Sequence, residues 1–346
     1  MKLFRNMSIL SLLGLIACGS SYKDLDVAEF EKNIAGGNVA VVDVRTAEEY
    51  AEGHLRGAAN IDSSAPDFLE QVQAVCPMET PVAVYCRTGR RSAEAAKKLA
   101  KAGFAVCNLL GGIEGWQAAG KPVTKYAVET FFTDGGLPVR ITLIKHGTLE
   151  IVYQGLSIHI DPVSGLSIPT DYATEFPKAD VILVTHEHGD HFDRTAIEAL
   201  GGHAENLITN ARVAEMLGWG AVMANGDSRD LPGDIRLDAV PAYNYTEGHT
   251  NFHPQGRDNG FILTLDGLRI YVAGDTEDIP EMADIKDIDV AFLPVNQPYT
   301  MTVDQCVHAA EMIQPKVLIP YHFSKTDLTE LPSRLPGMTV LLRQMQ

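Results

Sequence analysis

The chain has 346 residues, enough for two domains at roughly 150 residues each. Its apolar share of 45% and charged share of 21% are those of a soluble globular protein and exclude a disordered, collagen-like or polytopic membrane chain. With 28 Lys and Arg against 45 Asp and Glu, the net charge of −17 excludes the basic footprint that a nucleic-acid partner requires, and five cysteines are too few for a disulfide scaffold.

The chain opens Met1-Lys2-Leu3-Phe4-Arg5 and then runs apolar from Ile9 to Ala17. A short basic segment before a short apolar one is the pattern of a secretory signal. The run is well below the ~20 residues of a permanent membrane span. Its end, Leu15-Ile16-Ala17-Cys18-Gly19, resembles the lipobox of bacterial lipoproteins. That resemblance implies a signal peptide over 1–17, cleavage before Cys18 and acyl chains on Cys18. The expected place is the bacterial cell envelope, with the protein lipid-anchored to the membrane on its periplasmic or extracellular side. An ordinary secretory signal is the simpler alternative. Cys76 and Cys107 then read either as a disulfide or as two buried thiols.

Residues 22–124 alternate short apolar runs with amphipathic stretches, as a parallel α/β sheet requires. Val39 to Val44 and Val82 to Tyr85 read as buried strands, and Ser92 to Lys101 as a helix stopped by Gly103. Between strand and helix lies Cys86-Arg87-Thr88-Gly89-Arg90-Arg91. A tight loop of backbone N–H groups at a helix start forms an anion nest, and three arginines add charge. Both favour the thiolate, which is the nucleophile, so Cys86 reads as an activated nucleophile that handles an anion.

Asp43-Val44-Arg45, Gly53-His54-Leu55-Arg56-Gly57, the Cys86 loop and Gly111-Gly112-Ile113-Glu114-Gly115-Trp116 together resemble the rhodanese family. The resemblance implies that Cys86 takes sulfane sulfur from a donor as a persulfide and passes it on. Cys86 to Arg91 is six residues, the sulfurtransferase loop length, whereas the phosphatase-like relatives have one more. Asp43, Arg45 and His54 are taken as scaffold.

Residues 125–138 read as a linker, and 139–346 as a second domain that begins with strand-like runs. Val181 to Thr185 is a buried strand followed at once by His186-Glu187-His188-Gly189-Asp190-His191. Imidazoles and carboxylates packed this tightly at a strand end are the ligand set of zinc and other first-row metals. Further candidates stand at later strand ends, at Asp275 and His322, with Asn244, His249 and His253 between. Asp161 reads as an outer acceptor that supports a ligand loop. His146 and His159 read as structural, His146 with some reach toward the site edge. His308 lies on a helix opened by the capping box Thr302-x-x-Gln305 and reads as non-catalytic.

This constellation resembles the metallo-β-lactamase fold, a four-layer αβ/βα sandwich, in its lactonase-like and phospholipase-D-like branch. The resemblance implies a first metal on His186, His188 and a third histidine, a second on Asp190, His191 and His322, and Asp275 bridging both. The third histidine departs from the family pattern. His253 is the first choice, then His249, then Asn244. Two divalent ions are expected, zinc first, with manganese, nickel or iron as alternatives. They would serve hydrolysis of an ester, lactone, amide or phosphodiester in a small-molecule substrate, with Asp190 as general base. Two rival readings stand: an iron-dependent persulfide dioxygenase-like enzyme, and a hydrolase whose rhodanese-like domain only binds.

Overall fold

The computed structural model describes residues 22–166, 169–343 and 345. Cys18 and the expected signal peptide lie outside the described residues. Among the described residues, no helix is long and apolar enough to cross a membrane.

The first domain is a five-stranded, wholly parallel sheet in the order Lys23–Leu25, Val106–Leu109, Val82–Tyr85, Ala40–Asp43, Ala58–Asn60. Its two central strands are buried along their whole length, which is why they read as unbroken apolar runs. Alternation sends Val82 and Val84 into the core on one face, and Ala83 and Tyr85 into the core on the other. Cys76 packs in the first of these cores and Cys107 in the second. The sheet lies between them, so they are two free buried thiols, not a disulfide.

The second domain is two seven-stranded mixed sheets packed face to face. Their inner faces share one core, with Ile141, Leu149, Ile151 and Leu183 from the first sheet and Leu237, Phe261, Leu263 and Phe292 from the second. Helices Arg194–Ala199 and Ala211–Leu217 cover the outer face of the first sheet, and helix Val303–Ile313 that of the second. This is the expected αβ/βα order of layers. The capping box of Thr302 and Gln305 forms at the start of the last helix.

The linker expectation is corrected. Within 125–138, Ala127–Phe132 is the edge strand of the first large sheet, antiparallel to Pro138–Lys145. Its residues are mostly half-buried, so the sequence shows neither clean alternation nor an apolar run. The true junction is only a few residues long and is pinned. His54 pairs with Thr124 through both backbone hydrogen bonds, and its ring lies 3.0 Å from Tyr50 O and 2.9 Å from Tyr126 O. Asp43 and Arg45 form a buried ion pair at 2.6 Å, with Arg45 Nη2 also donating to Gly53 O. All three residues are scaffold, as expected.

Candidate metal centre and active-site cysteine

Strand Val181–Val184 delivers the sequence Thr185 to His191 to the edge of the sandwich. Two groups of side chains gather there: His186, His188, His253 and Asp275, and His146, Asp190, His191 and His322. In each group the ligand atoms all lie within 4.8 Å of one another. Asp275 joins them. Its Oδ2 is 3.9 Å from His186 Nε2, 3.4 Å from His253 Nε2 and 3.3 Å from His322 Nε2, and its Oδ1 is 3.3 Å from His191 Nε2.

The buried atoms His191 Nε2, His322 Nε2 and Asp275 Oδ1 make no hydrogen bond, although they stand close together. Buried polar atoms are almost always paired. Three orphans arranged around common space, from imidazole and carboxylate donors, are what a cation would satisfy, so the residues fit bound metal.

Outer groups set which ring nitrogen faces the centre. Asp161 is fully buried and accepts from Thr185 N, Thr185 Oγ1 and His191 Nδ1, each at 2.7 Å. Because the Thr185 hydroxyl donates to Asp161, it accepts from His186 Nδ1 at 2.9 Å. One carboxylate thereby leaves Nε2 of both His186 and His191 free as ligands. Asp258 does the same for His253, accepting from its Nδ1 at 3.0 Å. Asn296 lies 3.4 Å from His322 Nδ1. Asp161 was legible in the sequence; the roles of Asp258 and Asn296 were not.

Of the three candidates for the remaining ligand of the first group, the structure places His253 beside His186, His188 and Asp275. Asn244 N donates to the His253 carbonyl at 2.9 Å, and Asn244 Nδ2 donates to Tyr299 O at 2.7 Å. His249 turns away to Glu277, at 3.5 Å. His146, read as structural with some reach toward the site edge, lies in the second group, with Nε2 3.1 Å from Asp190 Oδ2. The sequence signal for that reach is the turn His146-Gly147 at a strand end. A side chain at Gly147 would place its Cβ 2.6 Å from His191 Cε1, so only glycine lets the two histidines share the site. His146, Asp161 and His322 all take left-handed backbone, with φ of 46°, 47° and 48°. Such backbone is uncommon outside glycine, although His and Asp adopt it more readily than most residues, and it collects where side chains must be aimed. His159 is fully buried outside the site, and His308 pairs with Asp278 at 2.6 Å on the surface; both are as expected.

Charge follows this geometry. Burial opposes the charged form of Asp275, yet His191 and His322 hold its carboxyl well below the usual range. Burial likewise opposes Asp190, but the hydrogen bond with His146 and the His322 imidazole 3.4 Å away override it, so Asp190 stays ionised. Burial would lower His322, but Asp275 and Asp190 raise it to about 9. Burial drives His186 well below the ordinary value. A hollow of about 440 Å³ opens over the centre, with Leu166, Phe252, Tyr299, Asn296 and Ser324 around His188 and Asp190.

Cys86 follows strand Val82–Tyr85 and precedes helix Arg90–Lys101, with Gly89 left-handed at φ 92°. Its sulfur accepts from Gly89 N at 3.2 Å and Ser92 Oγ at 3.4 Å. Burial raises the thiol pKa. These bonds and the N–H groups of Thr88 and Ser92 outweigh it, and the net shift is downward. The expected arginine contribution is smaller than the sequence implied. Arg87 pairs with Glu114 at 2.7 Å and Arg91 is held in a bidentate pair by Glu49, while Arg90 and Thr88 are exposed. Only Arg91 of the three also bears on Cys86. The Ser92 hydroxyl and then the backbone nest, ahead of the arginines, lower the thiol pKa. Gly112 completes the loop, because a Cβ there would lie 2.4 Å from Cys86 O.

Two sandwiched mixed sheets with a histidine and aspartate centre at one edge define a metal-dependent hydrolase of the metallo-β-lactamase type, here joined to a rhodanese-like domain. Residues 140–322 match the Beta-lactamase superfamily domain, over half of the chain, and the chain belongs to that superfamily. Residues 26–119 match the Rhodanese-like domain. Among relatives, a UPF0173 metal-dependent hydrolase of Geobacillus sp. is 33% identical over 195 residues, 54% of this chain and 86% of its own. A crystal structure described as a metal-dependent hydrolase of Parabacteroides distasonis is 51% identical, with a TM-score of 0.61, over 64% of this chain and 100% of that one. The metallo hydrolase Igni18 of Ignicoccus hospitalis, 24% identical, shares the fold with a TM-score of 0.50 over 60% of this chain and 95% of that one.

Proposed function

We propose that the second domain is a dinuclear hydrolase of small esters, lactones, amides or phosphodiesters. His186, His188 and His253 would hold one zinc ion, and Asp190, His191 and His322 the other, with Asp275 between them and His146 beside the second. The observation that carries this reading is the set of orphaned buried atoms on His191, His322 and Asp275. When bound, such ions supply Lewis acidity and a hydrolytic nucleophile near neutral pH. Asp190 has a side chain 34% exposed against 3% for Asp275, so it faces entering water. Held ionised by its imidazole neighbours, Asp190 would serve as general base toward that water. Leu166, Phe252 and Tyr299 offer the apolar wall against which a substrate body would rest, while Asn296 and Ser324 offer polar contacts. Two full ligand groups favour this reading over a one-iron dioxygenase.

In the first domain, the Cys86 thiolate attacks the outer sulfur of a sulfane donor such as thiosulfate. The new S–S bond forms as the old one breaks, and sulfite leaves with the bonding pair. A nucleophilic acceptor then takes the outer sulfur and returns the thiolate. For the envelope, Lys2, Arg5, the run Ile9 to Ala17 and Leu15-Ile16-Ala17-Cys18 support lipidation of Cys18 after removal of residues 1–17.

Metal analysis tests the first reading: His253→Ala should lose about one ion per chain and His249→Ala none. Full metal content in His253→Ala, or absence of zinc, manganese, nickel and iron from the native protein, would overturn it. Cys86→Ser should abolish thiosulfate:cyanide sulfur transfer, and retained transfer would refute the sulfur reading. Cys18→Ser should move the protein from the membrane to the soluble envelope fraction; unchanged membrane association would refute the anchor.

A further inference from the structure

Where the two domains meet, a cavity of about 480 Å³ is built from both. Leu55, Arg56 and Trp116 line it from the first domain, and Arg140, Glu150 and Phe176 from the second. Neither Cys86 nor any residue of the metal centre reaches it. The volume is that of a small-molecule site.

The charges in its wall do not cancel. Glu150 is fully buried and already satisfied, accepting from Arg56 Nη1 at 3.1 Å, Thr142 Oγ1 at 3.2 Å and Ser157 Oγ at 3.0 Å. Glu31, on the rim, is paired with Lys121 at 2.7 Å. Glu175 is exposed and accepts from Tyr126 Oη at 2.9 Å and Asp171 N at 2.8 Å. Arg140 is the exception. It is 8% exposed, and among the described residues its guanidinium makes one long hydrogen bond, Nη1 to Val39 O at 3.4 Å, and no ion pair.

A guanidinium carries five N–H donors. None of Arg140's nitrogens is sealed off without a partner, so the free ones open on the cavity. Burial lowers its pKa to about 10, which still leaves it charged at neutral pH. The nearest counter-charge that acts on Arg140, Glu150, is already paired with Arg56; a buried cation without a direct ion pair is disfavoured, and the fold nonetheless makes room for it. Gly57 of the first domain has φ 79°, and a Cβ there would stand 2.7 Å from Arg140 Cδ. The cation is thus presented by one domain and framed by the other, beside an aromatic and aliphatic wall.

We propose that the inter-domain cavity binds a small organic carboxylate, its head on the Arg140 fork and its apolar body against Leu55, Trp116 and Phe176. The planar fork matches a carboxylate through paired N–H···O bonds. Since the ligand touches both domains, its binding stabilises the docked pair and raises the unfolding temperature of the whole chain.

The chain has two tryptophans, Trp116 in the cavity wall and Trp219 outside it. In a full-length Trp219→Phe protein, Trp116 emission reports the site alone. Titration with cyclohexanecarboxylate should change that emission saturably and raise the unfolding temperature. The isosteric neutral cyclohexanecarboxamide should bind at least about tenfold more weakly, the discrimination that one charge-assisted pair supplies. Acetate, which lacks the body, should be weaker by a similar factor. Adding Arg140→Met should weaken the carboxylate about tenfold, leave the amide unchanged and leave metal content unchanged. Equal binding of carboxylate and amide, no response from Trp116, or undiminished carboxylate binding in Arg140→Met would each overturn the proposal. If Arg140→Met does not fold, the carboxylate-to-amide ratio decides it.

Discussion

Asp161→Asn probes the metal centre through a residue that touches no ion. The carboxylate takes three buried hydrogen bonds of 2.7 Å, from Thr185 N, Thr185 Oγ1 and His191 Nδ1. Asparagine has the same shape, so no cavity opens, and its carbonyl oxygen still accepts from Thr185 N. The amide nitrogen that replaces Oδ2 faces two donors. Relief requires His191 to carry its proton on Nε2, and the Thr185 hydroxyl to turn, which leaves His186 Nδ1 without its acceptor. Both changes point N–H groups toward the ion positions where lone pairs are needed. Loss of such orienting partners costs roughly 10- to 100-fold in metal affinity, about 1.4–2.7 kcal/mol. Each frustrated buried donor costs about 1–3 kcal/mol of stability. Dialysis against graded chelator, followed by mass-spectrometric metal analysis and circular dichroism, measures both. The expected outcome is a folded protein whose metal retention shifts by at least about tenfold for both ions. Wild-type retention in Asp161→Asn would refute the argument that this carboxylate controls the two tautomers.

Two further predictions concern pH. The hydrogen bonds to Cys86 lower its thiol pKa, whereas burial raises Cys76 and Cys306 to about 12 and Cys107 to about 11. Thiolate absorbance, taken as the difference between native protein and Cys86→Ser, should therefore titrate below 9, and Ser92→Ala should move that midpoint upward; a native midpoint at or above 9 would contradict the nest. For His322 the folded value is raised from 6.5 to about 9. Its contribution to the stability of metal-stripped protein is fully present below pH 6.5 and is lost as pH rises through about 9. Metal binding requires neutral imidazole, so affinity should rise across the same window. Denaturant titrations of stripped protein at both ends of the window, with proton release on metal addition, check this; a stability that climbs over that range would contradict the sign.

Much of the chemistry was legible in local sequence, because local sequence carries it. An unbroken apolar run must be a strand buried on both faces, so Val82 to Tyr85 and Val181 to Val184 could be placed. The segment after such a strand, whether the Cys86 loop or the run His186 to His191, is then delivered to a sheet edge. The box of Thr302 and Gln305 is likewise a contact three residues long, and it formed as read. Other features depend on segments far apart in the chain. His253 ranks ahead of His249 in sequence by its loop alone, and only the fold shows what each faces, Asp258 for His253 and Glu277 for His249. His146 lies 44 residues from Asp190, and only the packing of one strand end over another brings them together. The arginines after Cys86 promised charge, but Glu49 and Glu114, approaching from other elements, neutralise two of them. The half-buried strand Ala127–Phe132 exists because a neighbour pairs with it, not because its own pattern demands it. Length and composition foretold two domains; where they touch, and the unpaired Arg140 enclosed between them, result from burial and charge balance across a boundary that no single segment encodes.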